Sequence, residues 1–213
     1  MKTATLKQAK KLLELAEETP AEQLQKLLAS GMFSDLLTAN IDKVDREEFR
    51  MVCGLSAEDF KITPAPFDPK SFIGEGWQDI VGERDERSAK LTEVDFAKAK
   101  FVSCLEKGES SIKGEEKLRR LKETGNIRLG ATVSMGLWQD YQSNGKNSVL
   151  ERLYQAGTIK DFLDFFGTVL LGPGGYRYVL YLYRRDDGEW HWGVDWLEDG
   201  WRVRYLSAVL PQV

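Results

Sequence analysis

The sequence predicts an α+β protein: a helical N-terminal module over residues 1–57, a proline-rich linker over 58–70, and an α+β domain over 71–213 that ends in a tryptophan-rich antiparallel sheet. Three observations carry this. Apolar residues recur at helical spacing before Leu55 and alternate singly after Phe165. Pro64, Pro66 and Pro69 separate the two regimes, and proline holds the chain extended while removing backbone donors. Four of the six tryptophans fall in 190–201, where a chain poor in long helices would build a sheet core.

Taken in order, Leu6, Ala9, Leu12, Leu13 and Ala16 share one helical face. Thr19-Pro20-Ala21-Glu22 is a helix start, with Thr19 as cap and Glu22 closing a capping box. Leu24, Leu27 and Leu28 are expected to form its buried face and Gly31 its stop. Short helices are expected from Phe33 and over 45–53. Residues 91–105 carry a broken alternation and at least one strand. Residues 114–122 form a helix with Leu118 and Leu121 inward, closed by Gly125. Val133, Leu137 and Trp138 mark another, and Val149, Leu150 and Leu153 a third. Strands follow over 165–171 and 176–183, the second with Arg177, Val179, Tyr181 and Tyr183 on one face. Over 190–196, Trp190, Trp192 and Trp196 share a core face, while His191, Gly193 and Asp195 take the other. Residues 207–210 close the sheet.

Composition narrows the function. Hydrophobic residues make up 42% of 213, enough to fill a core. Lys+Arg 30 against Asp+Glu 34 leave a net charge of −4, which argues against a nucleic-acid partner. The basic residues of 113–122 are interleaved with Glu115 and Glu116 and read as a solvated helix face. His191 is the only histidine, and Cys53 and Cys104 lie far apart. Histidine-based metal sites, Ser–His and Cys–His catalysis are therefore not expected, nor is a metal or cofactor. The carboxylates of 186–199 read as turn and solvent chemistry. No run is long and apolar enough to span a membrane and no leader core is visible, so a cytoplasmic protein is expected.

Several stretches resemble an uncharacterised family of paralogous proteins from small-genome bacteria of the candidate phyla. They include Ile112-Lys113-Gly114-Glu115-Glu116-Lys117-Leu118, Tyr178-Val179-Leu180-Tyr181-Leu182-Tyr183 and Ser207-Ala208-Val209-Leu210. The order of elements is also similar to a C-type lectin-like fold, and the tail resembles the variable region of proteins diversified by retroelements. That resemblance implies a scaffold of Trp190, Trp192, Trp196, Leu197 and Trp201, with displayed residues between. His191, Gly193, Asp195, Asp199, Arg202, Arg204 and Tyr205 are the expected displayed positions, and Trp201, off the alternation, is added as a candidate contact. The function expected is non-enzymatic binding of a protein or other macromolecular ligand. The alternatives are a small hydrolase or transferase using the tail carboxylates, and a nucleic-acid-binding regulator.

Overall fold

The computed structural model describes residue 10, residues 21–38 and residues 60–212. The chain divides into two compact units, Met1–Gly54 and Leu55–Val213. In the first, α1 spans Ala21–Ala29 and α2 spans Met32–Thr38. Glu22 and Lys26 pair across one turn of α1 at 2.7 Å. Leu24 and Leu27 are half-buried, whereas Leu28, expected on the same inner face, is exposed. Apart from Lys10, the helices expected around residues 6–16 and 45–53 lie outside the described residues.

The second unit is an α+β domain. Its strands are β1 (Lys61–Ile62), β2 (Gln78–Asp79), β3 (Val94–Asp95), β4 (Lys100–Val102), β5 (Ser111–Lys113), β6 (Ile127–Arg128), β7 (Phe162–Leu171), β8 (Arg177–Arg184), β9 (Trp190–Trp196), β10 (Gly200–Arg202) and β11 (Tyr205–Leu210). Its helices are α3 (Pro69–Phe72), α4 (Glu86–Ala89), α5 (Gly114–Glu123), α6 (Ala131–Asn144) and α7 (Val149–Gln155). The main sheet runs β4-β11-β7-β8-β9, with β2 joining β7 and β6 joining β11. Every pairing in it is antiparallel except β11 with β7.

The proline segment is built into this unit rather than stretched beside it. Phe60, Ile62 and Ala65 are buried, β1 pairs with β3, and the Ala65 amide donates to the Thr132 carbonyl at 2.9 Å. Pro69 opens α3, where Asp68 caps and the missing proline amide costs no helical bond.

One face of the sheet packs on helices. Leu163, Phe165 and Leu182 meet Val133 and Leu137 of α6 and Leu150 and Leu153 of α7. At the turn into β9, Trp190 joins this core at 1% exposure, its indole donating to Glu151 at 2.8 Å. Among the described residues, the opposite face is covered at one end. There Phe166, Val179 and Val209 pack against Leu118 and Leu121 of α5, Ile112 of β5 and Trp201 of β10.

Helix α5 corrects one expectation. Lys117, read as part of a solvated face, is completely buried. Its ammonium donates to Asp164 on β7 and to the Tyr205 carbonyl, each at 2.8 Å. Gly114, Lys117, Leu118 and Leu121 all lie on the buried stripe, so the charge is carried inward by helical spacing. Burying two charges is costly, and this geometry offsets the cost with a direct pair and extra hydrogen bonds.

Candidate functional site: an aromatic row on the open end of the sheet

The ladder registers place the site. Phe162 at the start of β7 stands opposite Tyr205 of β11 on one side and Tyr183 of β8 on the other, and Tyr183 stands opposite His191 of β9. Two residues along, Ser207, Asp164, Tyr181 and Gly193 form the next row on the same face. Alternation therefore turns four aromatic rings and an imidazole to the end of the face that α5 does not cover.

These rings touch one another. The Phe162 and Tyr205 centroids lie 4.5 Å apart, Phe162 and Tyr183 6.3 Å, Tyr181 and Tyr183 5.2 Å, and Tyr183 and His191 5.6 Å. All are half-buried, and Phe162, Tyr181 and Tyr183 belong to none of the core clusters. The exposed Arg204 lays its guanidinium over Phe162 at 4.8 Å and Tyr205 at 5.5 Å. Gly193 is required by contact: a Cβ there would meet the Tyr181 ring at 2.7 Å. The ring can lie over β9 because that position has no side chain.

Asp195 lies on the same face, opposite Val179. Partial burial pushes its carboxyl up from 3.8 to about 6, and the charges of Asp164 and Asp199 push the same way. Burial also raises the Tyr181 phenol to about 12. Asp164 is fully buried, which pushes its carboxyl up, while Lys117 and the Trp201 indole pull against that. The His191 Nε2 is enclosed and has no hydrogen-bond partner among the described residues.

Of the displayed residues read from the sequence, His191, Gly193, Asp195 and Tyr205 share this face, Arg204 reaches over it, and Asp199 acts on Asp195. Arg202 is exposed on β10, opposite Ser111, and has no ring contact among the described residues.

Two tryptophans depart from expectation. Trp201, a candidate contact, is 1% exposed and donates its indole N–H to Asp164 at 3.0 Å. It packs so closely on α5 that a Cβ at Gly114 would lie 2.3 Å from its ring. It is core, because β10 pairs with β5 and turns Trp201 inward beside Ile112. Trp196, expected in the core, is 36% exposed and stands edge-on to the exposed Tyr176 at 5.1 Å. It lies at the far end of β9, opposite Tyr178 and outside the core clusters. Trp192 keeps its side of the strand but is half-buried, its ring tilted against Phe72 with centroids 4.3 Å apart.

Sequence reasoning missed Phe162 and left Tyr181 and Tyr183 off the site. Their signal was present in part: Tyr181 and Tyr183 alternate with Leu180 and Leu182 and so had to face away from the helices.

A cavity of about 430 Å³ adjoins the row, bounded by Phe162, Tyr154, Arg184, Arg185 and Arg204, with Asp161 and Asp186. Arg184 is engaged by Glu151 at 3.2 Å and lies over Tyr154 at 4.3 Å. Among the described residues no cluster of His, Cys, Asp or Glu is placed to hold a metal ion, and no helix is long and apolar enough to cross a membrane. No protein-family model, no curated protein and no solved structure matches the chain significantly.

Proposed function

We propose that this protein binds a macromolecular ligand, without catalysis, through the aromatic row of Phe162, Tyr181, Tyr183 and Tyr205 together with His191 and Arg204. The observation that carries this reading is that these rings contact each other, that Phe162, Tyr181 and Tyr183 stand outside the packed core, and that no helix lies over them among the described residues. Tyrosine and arginine give large contact area and hydrogen bonding at modest entropic cost. The reading also takes, from the sequence resemblance alone, a C-type lectin-like arrangement and a retroelement-diversified tail. The ligand in this reading is a protein, met in the cytoplasm.

An enzyme is favoured by one observation, the raised carboxyl of Asp195 beside Asp199. Neither residue lines the cavity beside the row. Acid–base work needs groups converging on a reacting atom, and the open face favours binding.

The test is selection of a displayed random-peptide library on the wild-type chain and on Tyr183→Ala and Arg204→Ala. Enriched clones that lose binding to both variants, with the melting transition unchanged, support the reading. Clones that bind all three chains equally place the binding surface elsewhere. Paralogues differing only at adenine positions of a template copy would support the diversification.

A further inference from the structure

Among the described residues, strand β9 pairs with β8 alone and is an edge of the main sheet. At the two ends of that ladder the Leu197 amide donates to the Arg177 carbonyl and the Arg185 amide to the Glu189 carbonyl, each at 2.9 Å. In an antiparallel ladder such pairs recur at every second residue. Residues 191, 193 and 195 therefore turn their backbone groups to β8, and 190, 192, 194 and 196 turn theirs outward.

The outer two positions are already capped. The Trp190 amide donates to the Tyr141 hydroxyl at 3.2 Å, and the Trp196 amide donates to Asp195 at 3.1 Å. The Trp196 carbonyl accepts from the Asp199 amide at 2.8 Å. The amides of Trp192 and Val194 have no partner among the described residues. The register along β9 is unbroken, and the strand holds no lysine or proline. The usual devices that protect an edge are thus confined to its ends.

We infer that a second copy of this chain pairs here, β9 antiparallel to β9 about a twofold axis at Gly193. Trp192 of one copy then meets Val194 of the other, so the uncapped backbone groups of both strands bond to each other. The same register sets His191 of each copy directly opposite Asp195 of the other. Such non-hydrogen-bonded pairs bring Cα atoms to about 4.5 Å, with the side chains closest. The His191 Nε2 has no hydrogen-bond partner among the described residues, and the half-buried Asp195 carboxyl, which accepts from the Trp196 amide at 3.1 Å, stands beside the like charges of Asp164 and Asp199. The twofold sets this imidazole–carboxyl pair twice, once on each side of the axis, and Gly193 adds no side chain of its own there. The aromatic rows of the two copies would lie on one continuous face. This pairing does not depend on the ligand-binding reading, and the peptide selection above can succeed or fail independently of it.

The experiment is sedimentation of the full chain across concentration. A dimer is expected by about 100 µM. Val194→Pro removes an amide that points away from β8, so it should give a monomer with unchanged circular dichroism. Should that variant fail to fold, the charge pair decides. His191→Glu alone and Asp195→Lys alone should each weaken self-association about tenfold or more. Mixed in equal amounts, the two variants should form a heterodimer, because the exchanged pair is then of opposite charge and the second is the original His191–Asp195 pair. A wild-type monomer at that concentration, a dimer that survives Val194→Pro, or a mixture no tighter than the single variants would overturn the pairing.

Discussion

The two ends of the same sheet face behave differently. At one end α5 and β10 lie over Phe166, Val179 and Val209, and even a lysine is buried there. At the other end Phe162, Tyr181, Tyr183 and Tyr205 stand side by side with no helix over them among the described residues. Both ends use the same strands and the same alternation. What separates them is long-range: β10 pairs with β5 and brings Trp201 and α5 over one end only. Strand periodicity tells which residues share a face, and only tertiary pairing tells whether that face is covered.

The comparison can be broken first at Trp201. Trp201→Ala should cost about 3–5 kcal/mol, through lost burial and a cavity beside Gly114. Urea unfolding followed by fluorescence measures it. Lys117→Met should cost a similar amount, about 3–5 kcal/mol, because Asp164 would remain buried without its partner. Losses of under 1 kcal/mol for both would mean that α5 does not close this end.

Gly193→Ala sharpens the open end. The new methyl must displace the Tyr181 ring, so we expect a loss of about 1 kcal/mol and a changed near-ultraviolet dichroism from the tyrosines. An unchanged spectrum would mean that the ring does not rest on β9.

A pH titration reads Asp195. Its folded carboxyl holds a proton up to about pH 6, whereas the unfolded chain releases it near 3.8. The folded state binds the extra proton in this window, so this residue makes stability fall as pH rises from about 4 through 6. Asp195→Asn should remove that slope, measured as the difference between wild type and variant in denaturant midpoint. A difference independent of pH would place Asp195 in open solvent. A small effect is expected for Trp196→Ala, which should stay within about 0.5–1 kcal/mol because the ring is partly exposed.

Much of this was legible in the sequence. The strands of the tail follow from their alternation, and helix α5 from Leu118 and Leu121. The stripe that carries those leucines also carries Lys117, and a lone Asp164 sits inside the apolar run from Phe162. Each was a sign of a buried pair, but matching the two needs the α5–β7 contact, which local spacing does not encode. Trp196 misled because alternation continues to the end of β9 while the covering core does not. Trp201 misled for the opposite reason: its burial comes from a partner strand nearly ninety residues earlier in the chain. The row itself was half-visible, in Tyr181 and Tyr183. Phe162 joins it only through the register of β7 with β8 and β11.

One end of the face is core and the other is displayed. The most direct measurement compares Trp201→Ala with Arg204→Ala by urea unfolding of the whole chain. The account predicts a loss of about 3–5 kcal/mol for Trp201→Ala and a change within about 0.5 kcal/mol for Arg204→Ala. Equal losses for the two variants would contradict it, because the residues would then share one packed environment.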